Sequence, residues 1–245
     1  MAKHFVSDII ITFVDLNKEI LDVYKKVFVE CENSERYKNI KVEFNDIKRC
    51  DPHDCIVSPA NSFGQMDGGI DADLSQILGK LWDPGFIGRK VRNVIAEQYY
   101  GEQPVGTCIL LETENDNYPF LAHAPTMRFP KPVQQTLNPY YAFKAVLQEI
   151  VNYNKTAAKD NKIKSILTTV FCTGCGKIPI IDAMKQMRMA FDVIHDGVKS
   201  DWGNAIKLCH HLEKLEDEAI DVKSKMSHLD LHHSKVNKVS PFNDE

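Results

Sequence analysis

Apolar residues along this chain recur with two periods, and the switching between them lays out an order of elements. Residues 9–14 (IIITFV) are a β-branched and aromatic run, and residues 17–28 follow with Ile20, Leu21, Tyr24, Val27 and Phe28 at the spacing of one helix face. A strand feeding a helix is the first unit. Residues 40–44 alternate as a second strand, 56–58 are a third core segment, and 70–81 read as a helix. Strands are predicted at 108–111 and 120–123, and a helix over 140–153 through Phe143, Val146, Leu147 and Ile150. Residues 166–171 are continuously apolar, which suits a strand covered on both faces. Strands alternating with helices indicate an α/β layered fold, and the Pro-, Gly- and polar-rich segments 101–107 and 128–139 are loops at the rim of its sheet.

From about residue 196 the pattern changes. Leu208, Leu212, Leu215, Ala219, Val222, Met226 and Leu229 recur at alternating spacings of four and three, a short heptad seam. It divides the chain into a main domain over 1–196 and a helical extension over 197–245. The seam packs either on its own domain or on a second copy in a homodimer. Six of the nine histidines lie beyond Ile194, and the spacing of His228, His232 and His233 is that of a solvated terminal segment more than of a metal site.

Composition narrows the function classes. At 245 residues and 43% hydrophobic content the chain is an ordinary globular protein, and 34 acidic against 30 basic side chains, a formal charge of -4, leave no footprint for duplex nucleic acid. Nowhere do eighteen apolar residues run together, and the apolar run before Asp15 is too short for a signal-peptide core, so neither membrane nor export is expected. Seven scattered cysteines read as free thiols of a reducing compartment, cytoplasm or nucleus. Cys172 and Cys175 have CxxC spacing and Cys50 lies near Cys55, but Cys55 enters a strand where Cys172 leaves one, and a parallel pair would put them at opposite ends of a sheet. No metal is assigned.

The chemistry concentrates in residues 57–79, VSPANSFGQMDGGIDADLSQILG, where an apolar strand runs into a polar loop, a glycine pair and a helix. That layout points backbone N–H groups at an anion and sets an amide, Asn61, and the carboxylates Asp67, Asp71 and Asp73 around it. An ionised carboxylate beside a diphosphate orients or deprotonates a water, while an amide fixes ribose hydroxyls; Asp71 also suits the positive end of a helix. A second anion loop is Cys172, Thr173, Gly174, Cys175 and Gly176, whose glycines admit close backbone approach, with Lys177 a cation at its rim. Asp46, ahead of Ile47 in FNDI, ends a strand and can accept a hydrogen bond from an exocyclic amine.

The interval of ten from Asn61 to Asp71 and a further eight to Gly79 resembles, without a gap, the first ligand loop of the macro domain family, and CTGCGKIP is similar to the second. The likeness spans residues 9–196 and implies a three-layer α/β/α fold with a central mixed sheet. By that resemblance the ligand is ADP-ribose, free or attached to protein, with no cofactor. Asp46 and Ile47 would take the adenine, Gly68, Gly69 and Ile70 would line the diphosphate near the distal ribose, and Thr173, Gly174, Cys175, Gly176 and Lys177 would cradle the phosphates. Asn61 and Asp71 would hold the distal ribose and assist removal of what is esterified to it. The chain departs from the family in Ser58 for an earlier Asn, Met66 and Asp67 for two glycines, Ser75 for a His, Lys177 for a Gly, and a second loop without its aromatic. Two readings follow: a hydrolase of ADP-ribosyl esters, O-acetyl-ADP-ribose or mono-ADP-ribosylated protein, and a non-catalytic reader of ADP-ribose. A general nucleotide-binding protein is disfavoured, because neither GxxxxGK[ST] nor GxGxxG occurs.

Overall fold

The alternation of side chains in the core strands sorts the interior into two apolar layers. The computed structural model describes residues 5–197, 207, 210 and 212–218. Its strands are β1 (Ile10–Asp15), β2 (Ile40–Phe44), β3 (Cys55–Ser58), β4 (Ile109–Glu112), β5 (Phe120–His123) and β6 (Ser165–Thr168), in sheet order β2-β1-β6-β3-β5-β4. All neighbours are parallel except β4, which runs antiparallel on β5. The helices are α1 (Glu19–Tyr24), α2 (Gly69–Leu78), α3 (Phe86–Tyr99), α4 (Asn138–Thr156) and α5 (Ile180–Asp196).

Phe13, Val57 and Ile166 point to one face, where Phe28 of the turn after α1, Phe143 of α4 and Met187 of α5 cover them. Val14, Ile56 and Leu167, one residue along each strand, point to the other face, under Leu74 of α2 and Val91 of α3. Period-two exposure of a strand buried on both sides thus gives the three-layer α/β/α architecture with a mixed sheet. The parallel pairing of β3 with β6 places Cys55 at the start of one strand and Cys172 beyond the end of the other.

The elements differ from the sequence reading in four places. The helix expected over 17–28 is α1 followed by a π-type turn, Lys25–Val29. The helix expected to reach residue 81 stops at Leu78, because Gly79 is wedged against the Ser75 and Pro84 carbonyls and residues 80–83 close a turn that leaves Leu81 and Trp82 exposed. The buried run 166–171 pairs only to Thr168 and then leaves the sheet as a loop. Finally, α3 and α5 fill stretches to which the reading assigned nothing.

Leu212 and Leu215 of the seam pack, partly buried, on the core layer that holds α5. Leu208, Ala219, Val222, Met226, Leu229, His228, His232 and His233 lie outside the described residues. Leu212→Asp with Leu215→Asp replaces two half-buried apolar contacts by charges, a loss of about 1–2 kcal/mol. The double variant should therefore melt about 3–6 °C lower in a thermal scan; an unchanged midpoint would mean that the contact contributes nothing.

Candidate functional site

Five parallel strands end on the same edge of the sheet, in the order β2, β1, β6, β3, β5. With neighbouring strands about 4.8 Å apart, four spacings span about 19 Å. Along this edge runs a cleft of about 740 Å³. It is walled successively by Asp46 and Ile47 after β2, Asp15 and Leu16 at β1, the loop after β6, the loop between β3 and α2, and Met127, Phe129 and Pro130 after β5. The carboxyl edge of a parallel sheet is where its loops converge and its ligands bind. Of the residues singled out from the sequence, Asp46, Ile47, Asn61, Gly68, Gly69, Ile70, Asp71, Thr173, Gly174, Cys175 and Gly176 all line this cleft. Lys177 does not: it is exposed, with a left-handed φ of 60°.

The β3–α2 loop is shaped by Asn61. Its Oδ1 accepts from the Phe63 and Gln65 N–H groups at 3.0 and 3.3 Å, and its Nδ2 donates to the Gln65 carbonyl at 2.8 Å. The amide expected to meet a ribose is thus engaged in holding its own loop. Gly68, extended, and Gly69, left-handed at φ 55°, then open α2 without a side-chain cap, so the first N–H groups of the helix are left for an anion at the cleft wall. One turn on, Asp71 is only 6% exposed and accepts a 2.6 Å hydrogen bond from Ser58 Oγ at the end of β3. Burial pushes its carboxyl up to about 6; the Ser58 bond opposes the shift and the Asp67 charge adds to it.

The β6–α5 loop is tied from three sides. Ile178 N–H donates to the Cys172 carbonyl at 3.0 Å, Lys177 N–H to Gly174 at 3.3 Å, and Val133 N–H to the Gly176 carbonyl at 2.8 Å. Cys172 has a left-handed φ of 62°, and burial pushes its thiol up to about 12, so it stays protonated. At the β2 end, Asp46 accepts from Lys48 N–H at 3.0 Å, capping the turn Ile47–Arg49, and Lys48 Nζ reaches Asp73 of α2 at 2.8 Å. At the β5 end, Phe63 and Phe129 stack with ring centroids 4.7 Å apart and planes 24° from parallel. Nothing in the linear sequence pairs those rings; they meet because Asn61 bridges Met127 and Ser62 N–H donates to the Met127 carbonyl at 3.1 Å. The Ser58–Asp71 bond was equally invisible, since it needs the strand end and the helix turn to face each other.

Among the described residues, the cleft lining includes five aspartates, 15, 46, 67, 71 and 73, and no Lys, Arg or His. For an anionic ligand this leaves backbone N–H groups and neutral side chains as the donors of the lining. His123, at the end of β5, is buried behind the lining with Nδ1 2.8 Å from Gln103 Oε1; burial pushes its pKa down to about 3, so it stays neutral.

The family model described as Macro domain matches residues 57–187, more than half of the chain. Among solved structures, the chain is similar to the macrodomain of Mycobacterium tuberculosis DarG at 17% identity and a TM-score of 0.49, over 62% of this chain and 89% of that one. An Oceanobacillus iheyensis macrodomain with ADP aligns at 15% identity and a TM-score of 0.47, over 74% and 90%. A Trypanosoma brucei macrodomain in complex with ADP aligns at 17% identity and a TM-score of 0.43, over 60% and 54%.

Proposed function

The chain belongs to the macro domain family, an ADP-ribose-binding family, and from that premise we propose that it binds ADP-ribose along the strand edge and hydrolyses ADP-ribosyl esters. One observation carries the reading. The groups expected for adenine, diphosphate and distal ribose follow one another along a single cleft: Asp46 at β2, the 173–176 loop at β6, Asn61 and Asp71 at β3. The diphosphate lies between the uncapped start of α2 and the β6 loop, where backbone N–H groups offset the surrounding carboxylates. Asp71, ionised above about pH 6, takes the proton of a water that attacks the ester on the distal ribose. Acyl oxygen and proton stay balanced in that step: water adds to the ester carbonyl, and the ribose hydroxyl leaves with the proton returned.

A second reading, a reader that holds ADP-ribose without turning it over, is favoured by the engagement of the Asn61 amide within its own loop. Calorimetry followed by a turnover assay on O-acetyl-ADP-ribose and on mono-ADP-ribosylated protein separates the two. ADP-ribose should bind in the micromolar range and AMP at least about tenfold more weakly, because AMP loses the contacts to half the diphosphate. Equal affinities would refute the two-loop arrangement; binding without release of product from any ester would leave the reader.

A further inference from the structure

The order of groups along the strand edge says where the substituent of the distal ribose must lie. With adenine at β2, diphosphate at β6 and the ribose at β3, the next strand end is β5, and the wall there is Met127, Phe129 and Pro130 with Phe63 stacked across from the β3 loop. Phe129 stays 53% exposed although it lines the cleft. The Arg128 guanidinium lies over this ring, 5.7 Å from its centroid, its charge balanced by Glu102 at 2.8 Å, so the ring pair already carries one planar cation. Nothing basic lines the cleft among the described residues, and Asp67 stands on the same loop as Phe63, bonded to Gln65 at 3.2 Å. An anionic or acyl substituent would meet ring faces and a carboxylate. A flat cation would meet a π surface with a carboxylate near it.

Resting on the ADP-ribose reading of the cleft, we infer that the site also takes an N-ribosyl pyridinium, the intact oxidised nicotinamide dinucleotide, with its cationic ring at the Phe63–Phe129 wall. That ligand is ADP-ribose carrying a planar aromatic cation on the distal ribose, so it fills the β5 end as well as the other four. Its net charge is also one unit less negative than that of ADP-ribose, which favours it in a cleft lined by aspartates.

Calorimetry on the full chain with NAD+, NADH and ADP-ribose tests this. NAD+ should bind no more weakly than ADP-ribose and about tenfold more tightly than NADH, whose ring is neither cationic nor fully aromatic. Phe129→Ala should cost NAD+ about tenfold while ADP-ribose stays within about twofold. Phe129→Leu, which keeps apolar bulk but has no π face, should show the same selective loss and guards against a folding defect in the alanine variant. If ADP-ribose binds but NAD+ binds tenfold more weakly, or if Phe129→Ala weakens both alike, the inference is overturned. If ADP-ribose itself fails to bind, the proposed function falls and the inference falls with it.

Discussion

Asp71→Asn is expected to raise the melting temperature at neutral pH while removing ester hydrolysis. The wild-type carboxyl is buried and its pKa is pushed up to about 6, against about 3.9 in an unfolded chain. Because the folded value is the higher one, the folded state binds the proton more tightly. This group's contribution to stability is complete below about pH 4 and is lost as pH rises through about 6. At pH 7 the buried charge therefore costs about 2–3 kcal/mol, which the neutral amide does not incur. The amide also keeps an oxygen for the Ser58 hydroxyl. Melting scans from pH 4 to 8 should show the two proteins close together at pH 4 and the variant about 5–10 °C higher at pH 7. Wild-type turnover should fall below about pH 6, where the base is protonated, whereas the variant should be inactive at every pH yet bind ADP-ribose within about tenfold of wild type. Coincident melting curves would refute the buried charge, and a fully active variant would remove Asp71 from the chemistry.

Gly176→Ala is expected to abolish ADP-ribose binding. A Cβ there would lie 2.5 Å from the Cys172 carbonyl oxygen and 2.9 Å from its Cα, both backbone atoms with no rotamer to change. The same carbonyl accepts the Ile178 N–H bond that closes the loop. To admit the methyl, the loop must open and carry Thr173 and Gly174 out of register, at a cost of about 1–3 kcal/mol in stability and about a hundredfold or more in affinity. Gly174→Ala is the contrasting control. Its Cβ would meet open space, so the melting point should hold while binding falls only if the ligand comes close to that backbone. Normal affinity in Gly176→Ala would mean that the β6 loop is not part of the site.

Much of this was legible in the sequence, for reasons that differ by element. β2 and β5 appear with the boundaries expected because each is short, β-branched or apolar, and bounded by polar turns. The family match was legible in the motif spacing, and the mixed three-layer sheet and the convergence of Asp46 with the two loops are what the resemblance carried by those motifs implies. α5 escaped because its buried face is built from Met184, Met187 and Ala190 beside Phe191, interleaved with charged residues that blur an apolar stripe. α3 escaped because it starts just after the turn around Pro84 and has polar residues at most positions outside Ile87, Val91 and Ile95. Lys177 falls outside the lining although the motif spacing includes it; its backbone is left-handed, and spacing carries no information on that. The aromatic wall is a tertiary fact: Phe63 and Phe129 belong to loops that only the pairing of β3 with β5 brings together.

The strand order has a consequence for how the protein is made. β6, the last of the described strands, enters the sheet between β1 and β3, and among the described residues no other pairing joins the β1–β2 ribbon to the β3–β5–β4 ribbon. Until residues 165–168 have left the ribosome, the nascent chain therefore holds two part-sheets, each with an unsatisfied edge at the centre of the future domain. Such edges recruit other strands. Ligand affinity consequently reports a finished sheet and nothing less, and a chain stopped before Ser165 should bind no ADP-ribose and should aggregate or remain with chaperones.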